Sequence, residues 1–495
     1  MTPMVSEQLD RHAIVTDTTL TIDAASPAGT GKTCVVDDPA TGQVIAEFAQ
    51  AGLDQVELAV RSARRAFRAW SRTPADTRAD LIDRLADEMA GAADLLLATL
   101  IREVGTPVTL ATNLQVNSAV SSLRWYAEAA RRSRDVDLGI TTNGAPRHSW
   151  IRARPAGVVA AISAYNYPLL LAMAKIGGAL AAGCPVVLLP SPLAPLAVLE
   201  LGRLAARAGF PPGVLNVIAG GPDVGQALTG HPEVDVVSFT GSAAVGAQIL
   251  AQTAPGIKRA VLELGGKSGA LVLPGADLDL AARTIHHRYG RNAGQGCASP
   301  TRIFVHRSEL DAFVEAGEPV YRELVVGDPW SPRTVVGPVI SRPHRDRIEG
   351  AISGAVARGG RQALLGNHYD TDKGWWVRPQ VIVGLDNSDP IARQELFGPV
   401  AVLMPYEDVD EAIDLVNDSE YGLAAYVFGD PDRAEEIAAE LRVGTVSINE
   451  AGGSRSGAPS GGLGRSGLGR EGGEWGIAEF LEPQHVQRPA GPGDQ

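Results

Sequence analysis

Cys297 lies in the segment NAGQGCASPTR (292–302), flanked by Gly294, Gly296, Ala298 and Ser299. Small neighbours let both backbone and substrate come close to the sulfur. A free thiol, with an ordinary pKa of about 8.5, is only a few per cent thiolate at neutrality, so a nucleophilic cysteine must be activated by its surroundings. The alternative is a buried structural cysteine. Glu263, in LELGGKSG (262–269), stands between an apolar run and a Gly-Gly turn, where a carboxylate is seldom placed without a partner. It is either a salt-bridged structural residue or, beside a nucleophilic thiol, a general base that deprotonates water. Asn166, in AYNYP (164–168), ends a strand-like run; its amide either caps the turn or donates to a developing oxyanion, a contribution of about 2.7–4 kcal/mol where it has been measured.

These residues need a scaffold, and the flanking segments suggest one. Short β-branched runs such as GVVAAIS (157–163), PVVLL (185–189), DVVSFTGS (235–242) and RAVLELGG (259–266) alternate with helical stretches. Such alternation builds a parallel sheet covered on both faces. Phe239-Thr240-Gly241-Ser242 reads as a strand–turn–helix junction whose helix N-terminus offers free N–H groups to a pyrophosphate, or is simply capped. A second alternating region runs from Gly269 to about Asn449, with strands at RIFV (302–305) and GTVSIN (444–449). Apolar spacing predicts amphipathic helices over 53–70 and 77–100.

With 495 residues the chain exceeds what one apolar core supports, and two or three domains are expected. The formal charge of −13 and the lack of a long basic run argue against a nucleic-acid partner. The three cysteines, Cys34, Cys184 and Cys297, have neither metal-site nor disulfide spacing and read as thiols of a reducing, cytoplasmic compartment. Residues 1–15 lack the apolar core of a signal peptide, and the apolar stretch 157–190 is interrupted by Asn166, Pro168, Lys175 and several glycines, so it reads as core rather than a membrane span.

In this order and spacing, DPATGQVIAEF, GVVAAISAYNYPLLLAMAKIGGALAAGCPVVLLP, FTGS, LELGGKS, GQGC, QELFGPV (394–400), NDSEYGLAAYVF (417–428) and GRSGLGREGG (464–473) resemble the aldehyde dehydrogenase superfamily from about Val36 to Val486. The resemblance implies an α/β protein with a Rossmann-type cofactor domain (20–132 and 151–261) and an α/β catalytic domain (262–457). It also implies a small β oligomerisation element (133–150 and 476–495), in which a hairpin pairs with the C-terminal strand. By the same match Cys297 is the nucleophile, Glu263 the base, Asn166 with the Cys297 N–H the oxyanion site, and Lys175 a helper near the proton path. Cofactor contacts fall on Ser163, Ala164, Tyr165, Leu189, Ser191, Gly241, Ser242, Leu264, Glu395 and Phe397. The implied reaction oxidises an aldehyde through a thiohemiacetal and a thioester, with a hydride passing to a nicotinamide cofactor, in a homodimer or homotetramer.

The sequence departs from the family where a lysine and a glutamate ordinarily grip the adenosine ribose; here those positions are Leu189 and Pro192. Hydrogen bonds to charged groups contribute about 1.5–3 kcal/mol each, so their loss should weaken binding unless other groups compensate. NAD is expected, with NADP possible, because no new cation appears in that segment. Ser460 and Gly464 stand where the family usually has Phe and Lys, at the substrate mouth. Tyr167, Leu170, Leu171 and Ala174 beside Asn166 suggest an apolar tunnel for an aliphatic or aromatic aldehyde. Two other readings use the same residues: a cofactor-independent thioesterase or esterase, and a non-catalytic scaffold.

Overall fold

The computed structural model describes residues 9–141, 143–453 and 455–491. Two apolar cores organise them. The first draws on residues from Val15 to Leu264, together with Ile477 and Phe480; the second runs from Ala270 to Leu441. The chain crosses from one to the other through the short passage 264–268.

The first core surrounds a six-stranded sheet in the spatial order Gly467–Leu468, Arg259–Glu263, Val236–Thr240, Val159–Ser163, Val186–Pro190, Leu215–Val217. Its neighbours are parallel except for the antiparallel edge strand Gly467–Leu468. Every residue of Val186–Pro190 is buried, as expected of a strand covered on both faces. Val159–Ser163 pairs directly with Val236–Thr240, so the loop bearing Asn166 emerges beside the turn Thr240–Ser242. Ligands of parallel α/β sheets bind at such carboxyl ends.

The second core surrounds a seven-stranded sheet ordered Arg361–Leu365, Gln380–Val383, Val400–Tyr406, Arg302–His306, Gly269–Val272, Ala424–Phe428, Thr445–Ile448. Only Arg361–Leu365 is antiparallel to its neighbour. Gly269–Val272 lies inside this sheet and begins five residues after Leu264, so Glu263 ends a strand of one sheet almost where a strand of the other starts.

A third, three-stranded antiparallel sheet joins the hairpin Val136–Thr141 and Arg147–Pro155 to the terminal strand Leu481–Pro489. Its residues are mostly exposed. Ile477 and Phe480, which fall within the 476–495 segment expected to be wholly oligomeric, are instead buried in the first core; only the strand beyond them leaves it.

The single helix expected over 77–100 is two, Ala75–Gly91 and Ala93–Val104. The apolar period runs on across the break, but Gly91 is a poor helix former and Ala92 leaves the helical basin at φ −97° and ψ 12°. Helix Pro168–Ala182 is buried on almost every side. Its Gly177 is required by a close approach, since a Cβ there would stand 2.2 Å from the Tyr126 ring. This burial carries Lys175 into the interior.

Candidate active site

Cys297 follows a turn in which Asn292, Ala293 and Gly294 have φ of 53°, 53° and 73°. Two non-glycine residues in the left-handed region cost on the order of 1–3 kcal/mol each, and such strain persists only where surrounding contacts over-determine it. Those contacts are present. Asn292 Oδ1 accepts from Thr106 Oγ1 at 3.1 Å, and Asn292 Nδ2 donates to the Asn166 carbonyl at 3.0 Å. Asn166 Nδ2 in turn donates to the Gln295 carbonyl at 2.9 Å, and Gln295 Oε1 accepts the Ile340 N–H at 2.9 Å. The asparagine loop of the first core and the cysteine loop of the second are thus stitched to each other. Gly294 has no room for a side chain, because a Cβ would lie 2.1 Å from the Gly398 carbonyl carbon.

Glu263 is the last residue of Arg259–Glu263 and is buried, with Oε1 lacking a hydrogen-bond partner. Burial first, and the charge of Glu471 second, push its carboxyl up to about 8, against the opposing pull of Lys175 and Arg470. Glu471 forms a buried ion pair with Lys175, Nζ to Oε1 at 2.5 Å, and also accepts from Ser238 Oγ at 3.2 Å. Lys175 therefore sits within electrostatic reach of Glu263 but is committed to Glu471. Sequence reasoning passed over Glu471, although it lies inside the GRSGLGREGG segment.

Cys297 is half-buried. Desolvation, then Glu395 and Glu263, push its thiol up to about 12, with Arg288 pulling the other way. The resting sulfur is a protonated thiol, and both carboxylates that hold it so are within reach of its charge. Gly265 and Gly266 explain how everything fits: a Cβ on Gly265 would stand 2.2 Å from Glu395 Oε2, and one on Gly266 would stand 2.3 Å from the Cys297 carbonyl oxygen. The Gly266 N–H also donates to Glu395 Oε1 at 2.8 Å.

A cavity of about 510 Å³ runs along the carboxyl ends of the first sheet to Cys297. Its lining includes all ten residues singled out for cofactor contact: Ser163, Ala164, Tyr165, Leu189, Ser191, Gly241, Ser242, Leu264, Glu395 and Phe397. Asn166 and Cys297 line it as well, whereas Glu263 and Lys175 lie behind its wall. Helix Ala243–Thr253 starts at the turn, with Ser242 Oγ accepting the Val245 N–H at 3.4 Å. At the inner end Tyr165 and Phe397 meet edge to face, centroids 6.0 Å apart, and Phe397 holds φ 56°. Burial pushes Glu395 up to about 7.

A dinucleotide fits these residues. Ser163 Oγ and Thr240 Oγ1, both on cavity-lining residues, are buried with no hydrogen-bond partner, which is costly unless a ligand supplies one. The helix N-terminus suits a pyrophosphate. The outer end is apolar and amide-lined, with Leu189, Pro192, Gln226 and Gln252. His344 and Arg347 also line the cavity and were not singled out in the sequence.

Leu170, Leu171 and Ala174 form a half-buried stripe on a helix otherwise buried, the apolar surface expected. Two arginines near the cysteine loop were not singled out in the sequence. Arg288 Nε donates to Tyr426 Oη at 3.0 Å, and Tyr426 Oη donates to the Ala298 carbonyl at 2.7 Å. Arg291 acts electrostatically on Tyr167, whose hydroxyl lies 3.8 Å from where a Gly296 Cβ would be.

Comparison with known proteins accords with this geometry. A model described as the aldehyde dehydrogenase family matches residues 27–486. The chain is 40% identical over 458 residues to a 3-succinoylsemialdehyde-pyridine dehydrogenase of a Pseudomonas species, covering 91% of this chain and 94% of that protein. It is 37% identical to the mitochondrial succinate-semialdehyde dehydrogenase of Arabidopsis thaliana, over 92% of this chain and 86% of that one. Among solved structures, aldehyde dehydrogenase C from Pseudomonas syringae, in complex with NAD+ and octanal, superposes with a TM-score of 0.90 at 36% identity, covering 95% and 96% of the two chains.

Proposed function

The chain belongs to the aldehyde dehydrogenase family and is an NAD(P)-dependent oxidoreductase, and from that premise we propose how its own residues oxidise an aldehyde to the carboxylic acid. The reading rests on one observation: Cys297 and Asn166 line a single cavity, while the carboxyl group of Glu263 is near enough to raise the thiol's pKa and keeps one oxygen unbonded.

Cys297 is the nucleophile. Its proton must be removed before or as the sulfur bonds the carbonyl carbon, and Glu263 is the acceptor, since burial makes it a far stronger base than an ordinary carboxylate. The tetrahedral oxyanion so formed is held by the Asn166 amide and the Cys297 N–H. Ser163, Thr240, Gly241 and Ser242 would hold the phosphate side of NAD, and Glu395, Phe397 and Tyr165 its nicotinamide side. NAD, when bound, supplies a cationic ring that accepts the hydride and favours a nearby thiolate. The acyl group is left as a thioester on Cys297, and Glu263, once it has released the thiol's proton to solvent, removes a proton from the water that hydrolyses it, so one sulfur serves two easier steps. Lys175 acts through Glu471, steadying the charge behind Glu263.

The comparisons name a pyridine semialdehyde, succinate semialdehyde and octanal for three similar proteins, so names do not choose the substrate. The test of the reaction is direct. Wild-type protein with an aldehyde and NAD should form reduced cofactor, read by its absorbance, and Cys297→Ala should abolish it. A thioesterase would instead hydrolyse esters at full rate without cofactor and never reduce NAD.

A further inference from the structure

We propose that Asn292 is a positioning residue for the oxidation: it fixes both the backbone and the side chain of Asn166, so that the donor end of that amide, not its acceptor end, meets the substrate oxygen. This deepens the aldehyde-oxidising reading and rests on it.

An asparagine amide has nearly the same shape either way round, yet one end donates and the other accepts. Turned over, Asn166 would present Oδ1 to a developing oxyanion and repel it. Nothing within Asn166 itself decides between the two, but its surroundings do. Nδ2 lies 2.9 Å from the Gln295 carbonyl, which can only accept, so the reversed amide would set oxygen against oxygen there. One N–H is spent on that bond, and the other remains for a substrate in the cavity that Asn166 lines.

Asn292 controls both ends of this arrangement. Its Nδ2 donates to the Asn166 carbonyl at 3.0 Å, which holds the main chain from which the amide projects. Its own carbonyl accepts from the Gln295 N–H and from Gln295 Nε2, each at 3.1 Å, which holds the turn whose carbonyl receives Asn166. Asn292 is itself kept in one orientation, since Oδ1 accepts from Thr106 Oγ1 at 3.1 Å and that hydroxyl accepts from Gln115 Nε2 at 3.1 Å. Gln115 lies in the π-helical stretch Ala111–Asn117, a distortion frequent at functional sites. Thr106, Gln115, Asn166, Asn292 and Gln295 are all buried, and none carries a charge, so the arrangement does not change with pH. Two costs accompany it, the φ of 53° at Asn292 and the unpartnered Gln115 Oε1, and strain and unpaired groups of this kind call for a functional reason.

A double-mutant cycle tests the assignment. Asn166→Ala should lower kcat by about 10²–10³, the usual effect of removing one oxyanion donor. Asn292→Gly suits the left-handed backbone but loses both side-chain bonds; it should lower kcat at least tenfold and leave KM for aldehyde and for NAD within twofold. Placed on Asn166→Ala, the same change should cost less than twofold, because the amide it positions is gone. Thr106→Val should repeat the pattern more weakly, and Thr106→Ser, which keeps the hydroxyl, should stay within twofold of wild type. Equal losses from Asn292→Gly with and without the Asn166 amide, or no loss at all, overturn the proposal while leaving the oxidation standing. A crystal structure of Asn292→Gly gives a readout that needs no turnover. In it Asn166 Nδ2 should no longer lie within hydrogen-bond distance of the Gln295 carbonyl, and an amide unmoved from its wild-type position overturns the proposal as well. If wild-type protein reduces no NAD with any aldehyde, the reaction assigned above fails, and this structure alone decides the role of Asn292.

Discussion

Glu263 serves both halves of the reaction with one carboxyl group, and its environment sets the pH at which it can. Raised to about 8 by burial and by Glu471, it is mostly protonated at neutrality, and only its ionised form accepts a proton. Turnover should therefore climb with pH through about 8 and level off above it. Glu263→Gln should flatten that profile and lower kcat by about 10²–10⁴, the usual contribution of a positioned general base. His286 makes the opposite kind of case, a titratable group with no part in the chemistry. It is fully buried among Tyr289, Phe313 and Tyr321, neither ring nitrogen has a partner, and burial holds its pKa down to about 3. Between that value and an unfolded value of about 6.5 the unfolded chain binds the extra proton, so stability is full above 6.5 and falls as pH drops. From pH 7 to pH 5 the linkage amounts to about 2 kcal/mol. His286→Leu should remove that increment, seen as a smaller loss of denaturation midpoint between the two pH values.

At the scale of elements, the passage 264–268 between the two sheets decides whether the parts meet. Gly266→Ala would drive a methyl group against the backbone oxygen of Cys297, where only 2.3 Å is available. A displacement of about 1 Å at a reacting group can cost 10²-fold in rate, so kcat should drop by about that factor, with far-ultraviolet circular dichroism unchanged. The cysteine, glutamate and asparagine were legible because each sits in a short run of small or turn-forming residues, and chain order then made a known pattern of them. Glu471 was not, since its tie to Lys175 spans 296 residues and leaves no periodic trace. Arg288 and Arg291 were hidden for another reason. HHRYGR (286–291) reads as an ordinary charged helix end, and only the fold brings Arg288 within electrostatic reach of the sulfur and Arg291 within reach of Tyr167. The break at Ala92 escaped because apolar spacing continues through it.

Across the whole molecule, the three-stranded sheet has Val136–Thr141 and Leu481–Pro489 as its outer strands and bears Val136 and Leu138, each at least half exposed. Trp475, 70% exposed, lies just before its terminal strand. Outer strands and exposed apolar side chains of this kind invite another chain. Sedimentation should find a dimer or tetramer, and removal of residues 481–495 should yield a smaller species.

Asn166 and Glu263 belong to one core, Cys297 and Glu395 to the other, and a handful of hydrogen bonds span the seam. Neither core has to melt for the enzyme to fall silent. A slippage too slight to register as unfolding would already part the amide from the sulfur, so the ceiling on working temperature is set by how well two halves stay in register, not by the endurance of either.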